Sequence, residues 1–416
     1  MPAKTQQIGR RPTFWLVGLT LIGLALVPAH AGPPPAQTAQ NPVPVSDETT
    51  LLAQGWAALA AGNAVAAADI AQAIRGKYPQ SVGGLALAVE AAITRSGAMS
   101  GLTTYESWLG TRRLEDPYVV RRIAIAVLRE KMNASSTSGG SAPRGRLVAL
   151  KALGAEGDPQ ALAKLNEARA QNLVAETRVA AELGDARAVQ ELIRRLESAQ
   201  PGHKLAYVDA LANTKNRMAI APIRKLLDDP DPLVVAAAAD ALGKLDAKEA
   251  IPQLRTLVEG QNGLQRWAAA RSLSLMGDSG GVAFLRERLV FDPAREVEGA
   301  IVTPGAGDYL QAQAAEALAP LGPNADWINT ARRLLGSPDP QARLLAAKVI
   351  APQDQPVAKD VLEALLLDSN PGISQEATDI LASRVAGDFV TLRRLVRSPD
   401  AYSQALAAAR IVELTR

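Results

Sequence analysis

One spacing constrains this chain more than anything else in it. Asp209-Ala210-Leu211, Asp240-Ala241-Leu242 and Arg271-Ser272-Leu273 follow one another at 31 residues, as do Ile220, Ile251 and Val282. Ile223, Leu254 and Leu285 keep the same step, and near the C-terminus so do Ala346, Ala377 and Ala408. A fixed period of this length, carried by small and apolar residues, predicts a unit that cannot bury its own apolar face and must stack on copies of itself. Within each unit the apolar positions recur at helical spacing, and Gly, Pro and polar clusters mark a turn every twelve to sixteen residues. Asp231-Pro232 and Asp339-Pro340 place a capping carboxylate before a proline, which suits the first position of a helix. The expected fold is all-α: a right-handed α-solenoid of antiparallel helix pairs.

The pattern resembles the short HEAT-like repeats named after phycobilisome lyases, with one helix in LVVAAAADALGKL and its partner in AIPQLRTLVEG. The resemblance covers residues 144–416, as about eight repeats and a last helix, Tyr402 to Thr415, read as a terminal cap. The register slips once, between Leu273 and Leu318, which places an insertion at roughly Asp292 to Tyr309. That insertion is either a partner-contacting loop or a tolerated surface excursion. Residues 47–132 differ in character. LLAQGWAALAAGNAVAAADIAQAIRGKYP resembles a tetratricopeptide (TPR) unit, with Gly55, Gly62 and Ala67 at close helix contacts, Trp56 and Leu59 in the core and Pro79 as the stop. A degenerate second unit holds Gly97, Tyr105, Trp108 and Pro117, and one more helix runs from Tyr118 to Lys131. The small polar stretch 133–143 is read as a linker between the TPR-like and HEAT-like segments.

Residues 1–31 read as a bacterial type of signal peptide. Lys4, Arg10 and Arg11 precede thirteen mostly apolar residues, Trp15 to Val27, and Ala29-His30-Ala31 is a small-residue cleavage pattern. Thirteen helical residues span only about 20 Å of a roughly 30 Å hydrocarbon core, too little for an anchor. The expected mature chain is exported, periplasmic or secreted, with no membrane segment after cleavage. Residues 32–46 carry five prolines and form an extended linker. Of 45 basic residues, 42 remain without the leader, equal to the 42 acidic ones. A balanced charge and 4% aromatics argue against nucleic acid as a partner.

Chemistry-bearing residues are scarce. There is no cysteine, and His203 is the one histidine beyond the leader, which removes histidine-based triads, zinc sites and thiolate chemistry. His203 follows Pro201-Gly202, where a turn or cap explains it. Asp228-Asp229-Pro230-Asp231 lacks the Gly and distal Glu of a calcium loop, and Gly305-Ala306-Gly307 has no basic residue to close a phosphate cradle. No catalytic, cofactor or metal residues are expected, and bilin attachment, the activity the lyase resemblance brings to mind, is set aside on the secretory context. The expected function is a non-enzymatic scaffold for a protein or peptide, with an envelope glycan hydrolase using two carboxylates as the alternative.

The candidate partner-binding residues are arginines on successive second helices: Arg224, Arg255 and Arg286 at the 31-residue step, extended by Arg332 and Arg394. At 100° per residue Arg224 lies about 40° from Ile220 and so borders the buried stripe. Second helices of HEAT-like solenoids line the concave surface, so the resemblance turns this ladder into the groove. Two roles stay open: a structural ladder neutralised by acids of neighbouring repeats, or a groove for an acidic peptide or anionic polymer.

Overall fold

The computed structural model describes residues 47–110, 115–134, 144–171, 173–290, 307–384 and 388–416. The leader, the proline-rich linker and nearly all of the 292–309 insertion lie outside them, as do residues 135–143 of the linker at 133–143. Among the described residues there are 22 α-helices and no strand. Five come first: α1 (Asp47–Ala60), α2 (Ala64–Lys77), α3 (Val82–Ser96), α4 (Ala98–Leu109) and α5 (Pro117–Asn133). The repeats then alternate. Their first helices are α6 (Arg144–Ala155), α8 (Val174–Glu182), α10 (Lys204–Ala212), α12 (Pro232–Lys244), α14 (Gly263–Leu275), α16 (Asp308–Leu318), α18 (Pro340–Ile350), α20 (Pro371–Arg384) and α22 (Ala401–Leu414). Their second helices are α7 (Pro159–Ala170), α9 (Ala186–Ser198), α11 (Ile220–Lys225), α13 (Ile251–Glu259), α15 (Val282–Leu289), α17 (Ala325–Leu334), α19 (Gln355–Leu365) and α21 (Phe389–Val396).

Local sequence explains the boundaries. The carboxylates of Asp231 and Asp339 accept from the amides of Leu233 and Gln341, two residues on, as the Asp-Pro pairs predict. Asp158 and Asp400 do the same for α7 and α22. The turn between first and second helix needs a left-handed residue, supplied by glycine at Gly157, Gly184 and Gly277 (φ +75°, +92° and +76°). Lys215 and Asp246 take that conformation without the freedom of glycine, at φ 53° and 51°.

The second helices were expected on the concave side; the packing puts the first helices there. Neighbouring first helices pack directly on one another, most extensively at α12 and α14, where Gly243 lies so near Ser272 that a Cβ would meet its Cα at 2.8 Å. Neighbouring second helices scarcely touch. Elements that converge lie on the inside of a curve and elements that diverge lie on the outside, so the second helices form the outer layer.

The curve closes on itself. α22, expected to cap an open end, packs along α6 in the same direction: a Cβ on Gly145, at the start of α6, would fall 2.7 Å from the carbonyl of Ala401, at the start of α22. At the other ends Arg416 meets Glu156 at 2.5 Å. The nine described first helices thus make a closed circle. α22 has no second helix of its own in the described chain, and α5 takes that position. It packs on both α22 and α6, with Arg121 donating to the carbonyl of Val412 at 2.6 Å and pairing with Glu156. One core of buried side chains runs from Leu85 to Val412 through this seam. The segments on either side of 133–143 therefore share a core.

In the first five helices, Gly55 and Ala67 sit at the expected close contacts and Tyr105 and Trp108 are buried. Two expectations change. Gly62 occupies a left-handed turn with nothing near it, and Trp56 is 37% exposed, because no described helix covers the outer face of α1.

Candidate central site

First helices carry their polar faces inward, and the space they surround is divided into two joined cavities. One, of about 780 Å³, is walled by α6, α8, α20 and α22. The other, of about 580 Å³, is walled by α14, α16, α18, α20 and α22. Arg144, Asp379 and Tyr402 line both. Trp267, Tyr309 and Tyr402 all face the second cavity, three of the fifteen aromatic residues in the chain.

The inner wall carries a ladder of ion pairs that step from one first helix to the next. Lys151 on α6 meets Glu182 on α8 at 2.7 Å, and Arg178 on α8 meets Asp209 on α10 at 3.4 Å. Arg271 on α14 bridges Asp240 on α12 at 3.7 Å and Glu316 on α16 at 3.6 Å, and Lys348 on α18 returns to Glu316 at 2.8 Å. Most of these residues share one register: Arg178, Asp209, Asp240 and Arg271 stand 31 apart, as do Lys348, Asp379 and Arg410. The signal was therefore in the sequence, at positions that served only to mark the period. Burial pushes the Asp240 carboxyl up, against the pull of Arg271 and Lys244.

At Asp379 the ladder stops. Its carboxylate has no hydrogen bond or ion pair among the described residues, although it faces both cavities; the residue is exposed to the cavity solvent, and the partial desolvation by the surrounding wall raises its pKa above the ordinary carboxylate value. Lys348 and Lys151 oppose that rise. Burial also raises the Tyr402 hydroxyl, helped by the negative charge of Asp379.

The five arginines expected to line the groove lie instead on the outer second helices. Arg255 is held by Asp278 through two bonds of 3.2 and 2.6 Å, Arg286 by Asp326 at 3.2 Å, and Arg394 by Glu363 at 2.5 Å. In each case the acid belongs to a neighbouring repeat or its turn, as in a structural ladder. Arg224 and Arg332 are exposed and have no ion pair among the described residues. Arg224, Arg255, Arg286 and Arg332 line neither of the two central cavities; Arg394 lines a separate outer groove between α19 and α21. His203 is exposed in a single 3-10 turn before α10. Among the described residues no group of three or more His, Cys, Asp or Glu could hold a metal ion, and no helix is long and apolar enough to cross a membrane.

Architecture and inner wall together define an α-solenoid scaffold closed into a ring. Residues 189–264 and 305–382 match the family model for HEAT repeats. No curated protein matches the sequence. Among solved structures, the chain is similar to the complex of CpcE and CpcF of phycocyanin lyase from Nostoc sp. PCC7120, at 20% identity over 55% of this chain and 93% of that one (TM-score 0.39). It is also similar to human deoxyhypusine hydroxylase, at 15% identity over 73% of this chain and 99% of that one (TM-score 0.30).

Proposed function

We propose that this protein is an exported, non-enzymatic scaffold that holds a protein or peptide partner against the inner wall of its ring. The observation that carries the reading is the pair of joined cavities, walled by first helices only and lined with aromatic rings and charges of both signs. Polar groups supply direction and aromatic rings supply contact area at small entropic cost, the combination that binding surfaces use. Stacked repeats also hold these side chains on a rigid frame, so little ordering is left to oppose binding. Export rests on residues 1–31: their basic start, short apolar run and Ala29-His30-Ala31 suit cleavage before Gly32. A non-enzymatic role is supported by the absence of cysteine and by the position of His203, exposed on a turn and outside both cavities.

A photo-crosslinking residue at position 402 tests this reading against the same residue at position 224 on the outer layer. Position 402 should capture a partner from envelope extract and position 224 should not. Capture from the outer position alone would move the binding surface away from the ring's interior and end this reading. Sequencing the N-terminus of the exported chain should return Gly32.

A further inference from the structure

We infer that the junction of the two cavities is a receptor for one cationic side chain, lysine or arginine, of an extended peptide, with Asp379 as its counter-charge. The inference rests on the reading of the inner wall as a binding surface and names what that surface recognises.

Charge pairing around the wall leads to it. Glu182, Glu316 and Asp240 each have a cation of a neighbouring first helix within 4.0 Å, and Glu413 has Arg410 at 2.6 Å. Asp379 and Glu376 have none among the described residues, and they lie three apart on α20, hence on one face of it. Nearby cations are committed elsewhere. Lys151 is taken by Glu182 at 2.7 Å and Lys348 by Glu316 at 2.8 Å, while Arg410 turns to Glu413. Arg144 donates to Gln375 at 3.3 Å. In a ladder that alternates sign along this stretch, Glu316 to Lys348, the next rung is an acid without its cation.

The walls suit a cation as well. Tyr402 lies beside Asp379, close enough for the carboxylate to raise its hydroxyl, and that hydroxyl makes no hydrogen bond among the described residues. Tyr309 and Trp267 line the same cavity. Aromatic faces attract guanidinium and ammonium groups, and a carboxylate that a guest can reach, as the exposed Asp379 can be reached from either cavity, forms a charge-assisted hydrogen bond with them. An anionic guest would instead meet two unpaired carboxylates.

The test uses the mature chain and isothermal titration calorimetry. Its probe is a nine-residue Gly/Ser peptide with one central arginine, compared with the same peptide carrying neutral, nearly isosteric citrulline or carrying glutamate. The arginine peptide should bind at least tenfold more tightly than either. Asp379→Asn should lower its affinity at least tenfold, Tyr402→Phe should weaken it severalfold, and Arg255→Gln on the outer layer should change nothing. Because Asp379 makes no bond within the fold, Asp379→Asn should keep the wild-type melting curve. Equal binding of the citrulline peptide, tighter binding of the glutamate peptide, or full affinity in Asp379→Asn would overturn the inference. So would N-acetylarginine amide binding as tightly as the peptide, since the site would then take a free guanidinium. If position 402 crosslinks a partner while Asp379→Asn has no effect on arginine-peptide binding, this inference fails and the scaffold reading stands.

Discussion

The joint between α12 and α14 and the seam between α22 and α6 both bring two first helices side by side, yet they are built from different residues. At the joint both helices are rich in small residues: Ala238, Ala239 and Ala241 of α12 and Ala268, Ala269 and Ala270 of α14 are all buried. A buried hydrogen bond joins the two helices, the Ser272 hydroxyl donating to the carbonyl of Ala239 at 2.8 Å, and on the inner wall Arg271 of α14 meets Asp240 of α12 at 3.7 Å. At the seam, close approach at Gly145 is joined by charges. Arg121 and Arg416 converge on Glu156, and around them Arg393 pairs with Glu115 at 2.8 Å and Arg397 with Glu106 at 2.5 Å. Helices that follow each other in sequence are brought together by their short connections, so at the joint small buried side chains and a single ion pair suffice. The seam joins residues about 260 to 290 positions apart, where directional pairs fix which elements meet and in what register.

Removing residues 47–133 should have the largest effect, since it strips α5 from α22 and α6 and exposes the side chains both bury there. The remaining repeats should stay helical by circular dichroism, while the ring opens and the radius of gyration from small-angle X-ray scattering increases. An unchanged compact radius would show that α22 closes on α6 unaided. Gly243→Val comes next: its branched side chain has no room against the Ser272 backbone, and overpacking of this kind should cost about 3 kcal/mol in urea unfolding. A near-neutral result would mean the joint is looser than its geometry.

Glu156→Gln leaves Arg121 and Arg416 without their shared acid and should cost about 2 kcal/mol at low salt. The loss should shrink in 1 M NaCl, where the wild-type seam is itself screened; an equal loss at both salt levels would show that Glu156 acts by packing. Acid should weaken a link in the outer layer by somewhat less. Burial alone would raise Asp388, but hydrogen bonds from Lys359 at 2.8 Å and from the amide and hydroxyl of Thr391 bring its pKa down to about 2. A carboxylate depressed in the folded state stabilises above its unfolded pKa, near 3.8, and that contribution disappears as pH falls through about 2. Partial exposure reduces it to about 1.5 kcal/mol. Asp388→Asn should therefore flatten the acid limb of the stability curve between pH 4 and 2. The smallest effect is expected at Arg255→Gln, whose pair with Asp278 lies on the exposed outer layer: the melting temperature should stay at the wild-type value.

Helix limits and caps were legible in the sequence because they are set within a few residues; Asp231-Pro232 announces α12 with no help from the rest of the fold. Ring closure was not legible. It depends on small angles added over many repeats, and nothing in Tyr402 to Thr415 says whether that helix ends the stack or meets its beginning. The inner and outer layers were confused for a related reason. Ile220, Ile223 and Leu227 give a second helix one buried stripe whichever way the solenoid bends, so Arg224 and Arg255 fit either side of the curve. The inner ladder was visible in register at Asp209, Asp240 and Arg271. Its pairing was not, since Glu316 and Lys348 reach it only across the insertion.

A closed circle of first helices also counts. An open stack can gain or lose a unit by duplication and merely become longer or shorter, which makes repeat number an easy variable in evolution. Here one more unit would carry α22 past α6, and one fewer would leave it short, so Gly145 could not meet Ala401 in either case. The same closure reserves the final place for α5, a helix from the other end of the chain, and no copy of an internal unit carries its Arg121. The number of repeats is thus held by geometry, as the number of staves is held by the hoop of a barrel.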